Sequence, residues 1–123
     1  MPTDHIEFGF LAESIAAKFL RNRGYEILFR NYKKKWGEID IIVRKEGIVS
    51  FVEVKANRKS MAGFEPELRA NWEKMRKVVR TARTFLVERK FDDDQEWQVD
   101  IVSVTIDRDL ETANIKHFKN IEV

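Results

Sequence analysis

Apolar residues near the N-terminus recur every three or four positions, which is the spacing of one face of an α-helix. The set comprises Phe8, Leu11, Ala12, Ile15, Ala16, Phe19 and Leu20. This spacing predicts an amphipathic helix from about Ile6 to Arg23. Asp4 is a candidate N-cap, with Glu7 completing a capping box. Gly24 can end the helix because glycine adopts a positive φ without a steric penalty.

After residue 24 the pattern changes to the period of two that is typical of β-strands. Residues 25–32 predict an edge strand and residues 36–43 a second strand. In the second strand, Ile39, Ile41 and Val43 share one face, and Glu38, Asp40 and Ile42 share the other. Residues 44–47 predict a hairpin turn that uses Gly47 for a positive φ. Residues 48–56 are almost continuously apolar, as in a central strand covered on both faces.

The second half of the chain predicts a loop, a helix and two more strands. Residues 57–66 are polar and predict a loop, with Pro66 near the first turn of the following helix. The apolar stripe of that helix is predicted to be Leu68, Trp72, Met75, Val79, Ala82 and Leu86. Residues 97–106 and 115–118 predict strands. The order αβββαββ predicts an α/β fold, with a mixed central sheet flanked by two helices in one domain, residues 1–123.

Composition narrows the classes of protein to which the chain can belong. Of its 123 residues 43% are hydrophobic, enough to build the core of a single folded domain. The absence of cysteine excludes disulfides and thiolate metal sites. The first ten residues do not resemble a signal peptide, and no apolar run approaches the roughly 20 residues that cross a bilayer. We therefore expect a cytoplasmic protein without a membrane partner.

The net charge of +2 conceals an uneven distribution of basic side chains. The candidate contacts to nucleic-acid phosphates are Arg30, Lys33, Lys34, Lys35, Arg58, Lys74 and Lys77. Acidic residues collect later, beginning at residues 92–94. Uneven basic charge suits a polyanionic partner. The alternative is a solvated helix face followed by an acidic loop, and charge alone favours that alternative.

A glutamate and a lysine interrupt the apolar third strand. Glu53 and Lys55 are two residues apart and therefore project from one face, where burial is costly unless they are paired or bind a metal. Asp40 lies on the preceding strand, and paired strands are roughly 4.8 Å apart, so the two carboxylates could share one divalent cation. Mg²⁺ or Mn²⁺ suits such oxygen ligands, and the carbonyl of Val54 is a further candidate ligand. Lys55 could orient an attacking water and stabilise charge on a phosphodiester.

Each candidate also has a purely structural interpretation. Glu53 and Lys55 can form an ion-pair set on a half-exposed sheet, and Asp40 can be a solvated strand residue. Glu13 borders the apolar stripe of the first helix, whose small residues would let it approach Asp40, but alone it is an ordinary surface acid. Lys74 could reach the site or a phosphate, and alone it is surface charge. Neither histidine has the spacing of a metal ligand.

The amino-acid sequence around these residues resembles that of a known family. Residues 27–32 read Ile-Leu-Phe-Arg-Asn-Tyr, residues 37–42 Gly-Glu-Ile-Asp-Ile-Ile and residues 51–55 Phe-Val-Glu-Val-Lys. With Glu13 on the opening helix, and Lys74 eight residues before Ala82, this text resembles the YraN family of the PD-(D/E)XK nuclease superfamily. That family is regarded as endonuclease-like and related to archaeal Holliday-junction resolvases.

The resemblance implies a restriction-endonuclease-like fold and an active-site set of Glu13, Asp40, Glu53 and Lys55, with Glu38 assisting. The sequence departs from the family pattern at three places. Ala12 replaces a glycine, Asn57 stands where a basic residue is usual, and residues 98–100 read Gln-Val-Asp rather than arginine-aromatic-aspartate. The last two departures concern substrate contacts more than the metal site.

These observations lead to one main hypothesis and two alternatives. The main hypothesis is a magnesium-dependent endonuclease acting on DNA, including branched or structured DNA, and working as a homodimer if it cuts both strands. The first alternative is a non-catalytic nucleic-acid-binding module that keeps the nuclease fold and its acids. The second is a structural protein that binds a partner through its charged surface.

Overall fold

The computed structural model describes residues 2–58, 72–107, 109 and 111–122, without the side chains of residues 2–6. The elements are α1 (Pro2–Asn22), β1 (Glu26–Lys34), β2 (Gly37–Lys45), β3 (Ile48–Arg58), α2 (Trp72–Glu88), β4 (Trp97–Asp107) and β5 (Thr112–Phe118). The predicted order αβββαββ is confirmed. The predictions for Pro66 and Leu68 lie outside the described residues. Within the described ranges, no helix is both long and apolar enough to cross a membrane.

The two ends of α1 compare differently with the prediction. The helix begins at Pro2, so Asp4 lies inside its first turn and the prediction of Asp4 as N-cap is wrong. Proline suits the first helical position, where an N–H would have no partner within the helix. The C-terminal prediction is confirmed: Gly24 has a φ of 89°. The Tyr25 and Gly24 amides donate to the carbonyls of Leu20 and Arg21 at 3.1 and 3.0 Å, the pattern of a Schellman motif.

The five strands form one mixed sheet in the order β1-β2-β3-β4-β5. Among the strands that the structure describes, only the β3–β4 pair is parallel, and α2 lies in the crossover that such a pair requires. β1 is therefore an edge strand and β3 the central strand, as predicted. Glu46 and Gly47 connect β2 to β3 with φ values of 52° and 79°, the positive values that a tight two-residue hairpin needs.

One helix covers each face of the sheet. On the α1 side, the buried residues include Ala12, Ala16, Leu20, Ile41, Val43, Val52, Val102 and Val104. On the α2 side, they include Ile39, Ile42, Phe51, Met75, Val78, Ala82, Phe85 and Val99. Burial of these two clusters supplies the main driving force for folding. The resulting helix–sheet–helix sandwich is consistent with the restriction-endonuclease-like fold.

Two predictions about the direction in which side chains point are wrong. Trp72, which the sequence predicts in the apolar stripe of α2, is 63% exposed, whereas Val78 and Phe85 are buried. The helix carries two overlapping apolar rows. The row that contains Phe85 is the buried one, because the centroid of the Phe85 ring lies 5.2 Å from that of Tyr32 and the two rings pack together. Ile39, which the sequence predicts on the same face as Ile41, packs on the α2 side of the sheet instead. The regular alternation of β2 is thus interrupted at Asp40.

Candidate active site

The site begins where β2 and β3 stop pairing. Their ladder ends with Ile41 opposite Val52. Beyond this point the amide of Val54 donates to the Asp40 carboxylate, with 2.7 Å between Val54 N and Asp40 Oδ2. A side chain thus takes the place of a backbone partner. Because the N–H and C=O of a strand residue point towards the same neighbour, the Val54 carbonyl also faces this gap.

The gap opens into a cleft of about 400 Å³ between the sheet and α2. Its described lining is Gly37, Glu38, Asp40, Glu53, Val54, Lys74, Lys77 and Val78. Glu53 is only 3% exposed. Asp40 and Glu53 therefore share one cleft, which is the arrangement that a common cation requires.

The carboxyl groups of the cleft repel one another in a partly dehydrated space. Burial raises the pKa of Asp40 to about 6, and the charge of Glu53 adds to this, against the Val54 amide, which lowers it. Burial also raises the pKa of Glu53, although Lys74 opposes that change. Both groups are thus less favourably ionised than in water. A cation bound between them would relieve this cost.

Lys74 reaches the cleft from α2. Its Nζ lies 3.0 Å from Glu53 Oε2. At about 100° per residue, Lys74 falls between the buried Thr81 and Phe85 around the helix axis, so its stem starts on the sheet side. Burial lowers the pKa of Lys74, but the charge of Glu53, the hydrogen bond to Glu53 and the charges of Asp40 and Glu38 together outweigh this effect, so the pKa is raised. A helical projection of the sequence therefore places Lys74 on the side of α2 that faces the sheet.

Glu13 approaches Asp40 from α1. Burial and the charge of Asp40 raise the pKa of Glu13, while the Arg30 charge and a hydrogen bond from the Asn31 side chain lower it. Within the described residues, Glu13 Oε1 is buried and has no hydrogen-bond partner. A further carboxylate, from the opposite helix, therefore lies close enough to Asp40 and Glu38 to feel their charges.

Asn31 is a site residue to which sequence reasoning assigned no role. It has a φ of 55° within β1. Its neighbours Arg30 and Tyr32 pair with Ile41 and Ile39, which places Asn31 across from Asp40. Asparagine tolerates the left-handed conformation better than most residues. An asparagine inside an otherwise β-type run was the available signal.

Lys55 shares the face of Glu53 but occupies another position. β3 pairs with β4 residue by residue through this stretch, so the strand is regular and both side chains project to the α2 side. The charge of Lys55 contributes to lowering the pKa of Glu53, against the larger effect of burial. Among the described residues, the lining of the cleft includes Lys74 and Lys77 but not Lys55.

Part of the predicted basic set surrounds the cleft. Lys77 lines it one helical turn after Lys74. Lys33 lies at its edge, with Nζ 3.9 Å from Glu38 Oε2. Lys35 is exposed in the turn that leads into β2. These residues place positive charge beside the acids.

The other predicted basic residues make contacts elsewhere. Lys34 Nζ donates to Glu88 Oε2 at 2.8 Å. The Arg58 guanidinium lies 4.3 Å from the centre of the Phe8 ring. The Nε of Arg30 is buried, and Arg30 acts on Glu13. The structure therefore does not gather the whole predicted set at one surface.

Comparison with known proteins places the chain in a family. The model of "Uncharacterised protein family UPF0102" matches residues 12–104. The chain belongs to this family. A UPF0102 protein of Campylobacter hominis is 40% identical over 98 residues, covering 80% of this chain and 83% of its own. UPF0102 proteins of Campylobacter fetus and Thermotoga petrophila are 36% and 38% identical, covering 93% and 89% of this chain and each 92% of their own. The resemblance to the YraN family is thereby confirmed.

The donor set of this UPF0102 protein fits a hard divalent cation. Among the residues that the structure describes, no three His, Cys, Asp or Glu side chains converge as an all-protein metal cage would require. Mg²⁺ does not need such a cage, because it keeps several waters and takes further ligands from substrate phosphate. The Asp40 and Glu53 carboxylates and the Val54 carbonyl are oxygen donors that face the cleft or its opening. This set suits Mg²⁺ or Mn²⁺.

A second polar cluster of the UPF0102 chain lies on the α1 side of the sheet. Asp100 is fully buried and accepts hydrogen bonds from Gln98 Nε2 and the Asn120 amide, each at 2.9 Å. His117 Nε2 lies 2.8 Å from Asp100 Oδ2. Asp100 shares a face of β4 with Val102, which packs on the α1 side, so this cluster is on the opposite face of the sheet from the cleft. Gln98, a departure from the family pattern, thus belongs to a structural network.

Proposed function

We propose that this UPF0102 protein is a metal-dependent nuclease that hydrolyses phosphodiester bonds of DNA, including branched or structured DNA. The observation that carries the proposal is the pairing of Asp40 and Glu53, both with raised pKa values, in one cleft that also contains lysines. Perturbed acids in a cleft are characteristic of functional sites. The resemblance to the PD-(D/E)XK superfamily supplies the substrate class.

Each residue would have a distinct role. Asp40 and Glu53 would hold the cation through their carboxylates, with the Val54 carbonyl as a further donor. Bound Mg²⁺ or Mn²⁺ would neutralise charge on the phosphodiester and make water a better nucleophile. Lys55 would orient the attacking water and stabilise the negative charge that develops on the phosphate. Glu13 would support the site from the α1 side by accepting hydrogen bonds from water beside Asp40.

The basic residues would bind the DNA backbone. Lys33, Lys35, Lys74 and Lys77 lie at or near the cleft, and Arg30, Lys34 and Arg58 would extend the contact as secondary positions. Phosphate contacts of this kind give an affinity that falls steeply with salt and carries little sequence preference. Cutting both strands would require two sites, so we propose a homodimer as the cleaving form. Light scattering with and without DNA would test that state.

The decisive experiment combines cleavage with metal binding. Purified protein should cut at least one of linear, flapped and four-way DNA in the presence of Mg²⁺ or Mn²⁺. Asp40→Asn and Glu53→Gln should reduce the rate by about 100-fold or more, because each removes a charge that holds the cation. Asp93→Asn, in the exposed loop after α2, is the matched control and should cleave normally.

The outcomes separate the alternatives. Binding of DNA without cleavage of any DNA or RNA substrate would favour the non-catalytic nucleic-acid-binding module. A biological effect that survives both Asp40→Asn and Glu53→Gln would favour a structural protein. Absence of calorimetric Mn²⁺ binding at millimolar concentration would overturn the proposed metal site itself.

A further inference from the structure

The ammonium of Lys74 lies within 3.0 Å of the Glu53 carboxylate, where a cation bound to Glu53 would meet it. We propose that Lys74 is the resident counter-ion of the cleft: its ammonium competes with a divalent metal for Glu53 and, once displaced, turns towards a substrate phosphate. This inference rests on the proposed nuclease function and adds an order of events to it. Metal binding would come first, and it would release the lysine for the DNA.

The ion pair joins a fixed residue to a movable one. The Glu53 side chain is 4% exposed, whereas that of Lys74 is 52% exposed, and the two charged atoms are 3.0 Å apart. Glu53 belongs to the central strand, which pairs with β4 along this stretch. The ammonium is on a flexible four-carbon stem at the rim of the cleft. A competing cation would therefore displace the lysine and leave the glutamate in place.

The charges of the cleft leave room for a second cation. Lys74 is attracted by Glu53 and also by Asp40 and Glu38. Lysine thus neutralises only part of the acidic charge that lines the cleft. A divalent ion at Glu53 would repel the nearby ammonium strongly, because charges a few ångströms apart interact at a low effective dielectric in a partly buried space. The two cations should therefore bind with negative coupling, which acts equally in both directions.

Lys77 distinguishes this counter-ion from general positive charge. It lines the same cleft from the next turn of α2 and is exposed. The Glu53 ion pair, by contrast, is made by Lys74. Removal of either lysine lowers the local positive charge by one unit. Only the removal of Lys74 takes away a group that holds a candidate metal ligand.

The experiment is Mn²⁺ binding measured by calorimetry on the full chain at pH 8, above the range in which Asp40 titrates. Lys74→Met keeps the aliphatic stem and removes the charge, so it should bind Mn²⁺ roughly tenfold more tightly than the wild type. Lys77→Met should change the affinity less than about threefold, because the described ion pair of Glu53 is with Lys74 and the exposed charge of Lys77 is screened by water. Lys74→Arg keeps the charge and should bind as the wild type does. DNA cleavage by Lys74→Met should be slower despite the tighter metal.

The failure of each proposal has its own signature. If the wild type binds Mn²⁺ and Lys74→Met binds it equally or more weakly, the counter-ion is refuted and the nuclease proposal stands. If the wild type binds no Mn²⁺, the proposed metal site fails first. Tightening in both Lys74→Met and Lys74→Arg would assign the effect to packing and also refute the counter-ion. Lys74→Gln, tested by the same criteria, replaces Lys74→Met if that variant does not fold.

Discussion

The surroundings of Asp40 act in opposite directions on its charge. Its carboxylate accepts the amide of Val54 in place of a backbone partner. The same carboxylate is buried against Glu53, so its pKa rises from 3.8 to about 6. The native state therefore binds a proton more tightly than the unfolded chain does. Stability should fall as pH rises from about 4 to about 6, and the full cost should be present above that range.

Asp40→Asn should consequently stabilise the metal-free protein, although it should slow the proposed cleavage. The amide oxygen can still accept from Val54, and the repulsion by Glu53 disappears. We expect a gain of about 1–3 kcal/mol in the free energy of unfolding at pH 8, shrinking towards zero near pH 4. Urea denaturation at both pH values measures this difference. Asp93→Asn serves as the control, and an equal gain in that variant would refute the explanation.

At the scale of single elements, the two helices end in the same motif built on different residues. Gly24 follows α1 with a φ of 89°, and Lys90 follows α2 with a φ of 57°. The Lys90 and Phe91 amides donate to the carbonyls of Val87 and Leu86 at 3.1 and 3.0 Å. A Cβ on Gly24 would lie 3.6 Å from Lys45 Cε, an ordinary contact, so the backbone conformation determines the cost of a substitution.

Substitutions at the C-terminal ends of α1 and α2 should therefore change the free energy of unfolding in opposite directions. Gly24→Ala should lower the free energy of unfolding by about 1 kcal/mol. Lys90→Gly should raise it by about 0.5–1 kcal/mol, because it relieves the left-handed conformation. Glu73→Gly, in the first turn of α2, is the control for placing a glycine inside a helix. It should lower the free energy of unfolding by about 1 kcal/mol. Thermal unfolding checks all three, and a loss in Lys90→Gly would contradict the assignment.

The contact between β2 and α2 sets the width of the cleft. A Cβ on Gly37 would lie 2.9 Å from Thr81 Oγ1 and 3.3 Å from the Lys77 carbonyl. Gly37→Ala should thus push the strand from the helix, cost about 1–3 kcal/mol of stability and slow cleavage by displacing Asp40.

Gly9→Ala is the matched control for this substitution. A Cβ at Gly9 has no described atom within 4 Å, and alanine favours the helix, so stability should rise by up to about 1 kcal/mol with cleavage unchanged. Denaturant midpoints and cleavage rates, measured together, test the pair. Normal cleavage by Gly37→Ala would show that the width of the cleft does not limit activity.

At the scale of the whole molecule, the sheet separates a network that stabilises the fold from the candidate site. Burial raises the pKa of Asp100, but hydrogen bonds from His117, Asn120 and Gln98 outweigh this effect and hold the pKa below its usual value. The stability that Asp100 contributes is therefore present above about pH 4 and is lost as pH falls further. This sign is opposite to that of Asp40, on the same sheet.

Asp100→Ala should test this separation. The variant leaves the buried His117 and the Asn120 amide without their acceptor, so it should cost about 3–5 kcal/mol in the free energy of unfolding. Below its lowered melting temperature, it should cleave DNA at a rate close to that of the wild type, because the network faces α1. Calorimetric unfolding and single-turnover cleavage measure the two quantities. A large loss of cleavage in the folded variant would contradict the separation.

Local chemistry made most elements predictable from sequence. Gly24 and Gly47 mark their turns because few residues tolerate a positive φ, and the apolar run of β3 marks a central strand. The interrupted alternation at Asp40 was not predictable, since it depends on a side chain replacing a backbone partner. The exposure of Trp72 depends on which of two apolar rows meets the aromatic rings around Phe85. The Lys74–Glu53 contact requires the crossover through α2 to be known.

The hydrogen bond between Asp40 and Val54 restricts which residues an inactive member of the family can carry at position 40. A descendant that lost its chemistry could not replace Asp40 with an apolar residue without orphaning an amide in the middle of the sheet. Aspartate or asparagine would therefore persist there in an inactive protein. Glu13 is under no such constraint, because the hydrogen bond that it accepts comes from the Asn31 side chain rather than from a backbone amide, and its Oε1 has no hydrogen-bond partner among the described residues. The residue at position 13, more than the residue at position 40, should therefore distinguish catalytically active relatives from inactive ones.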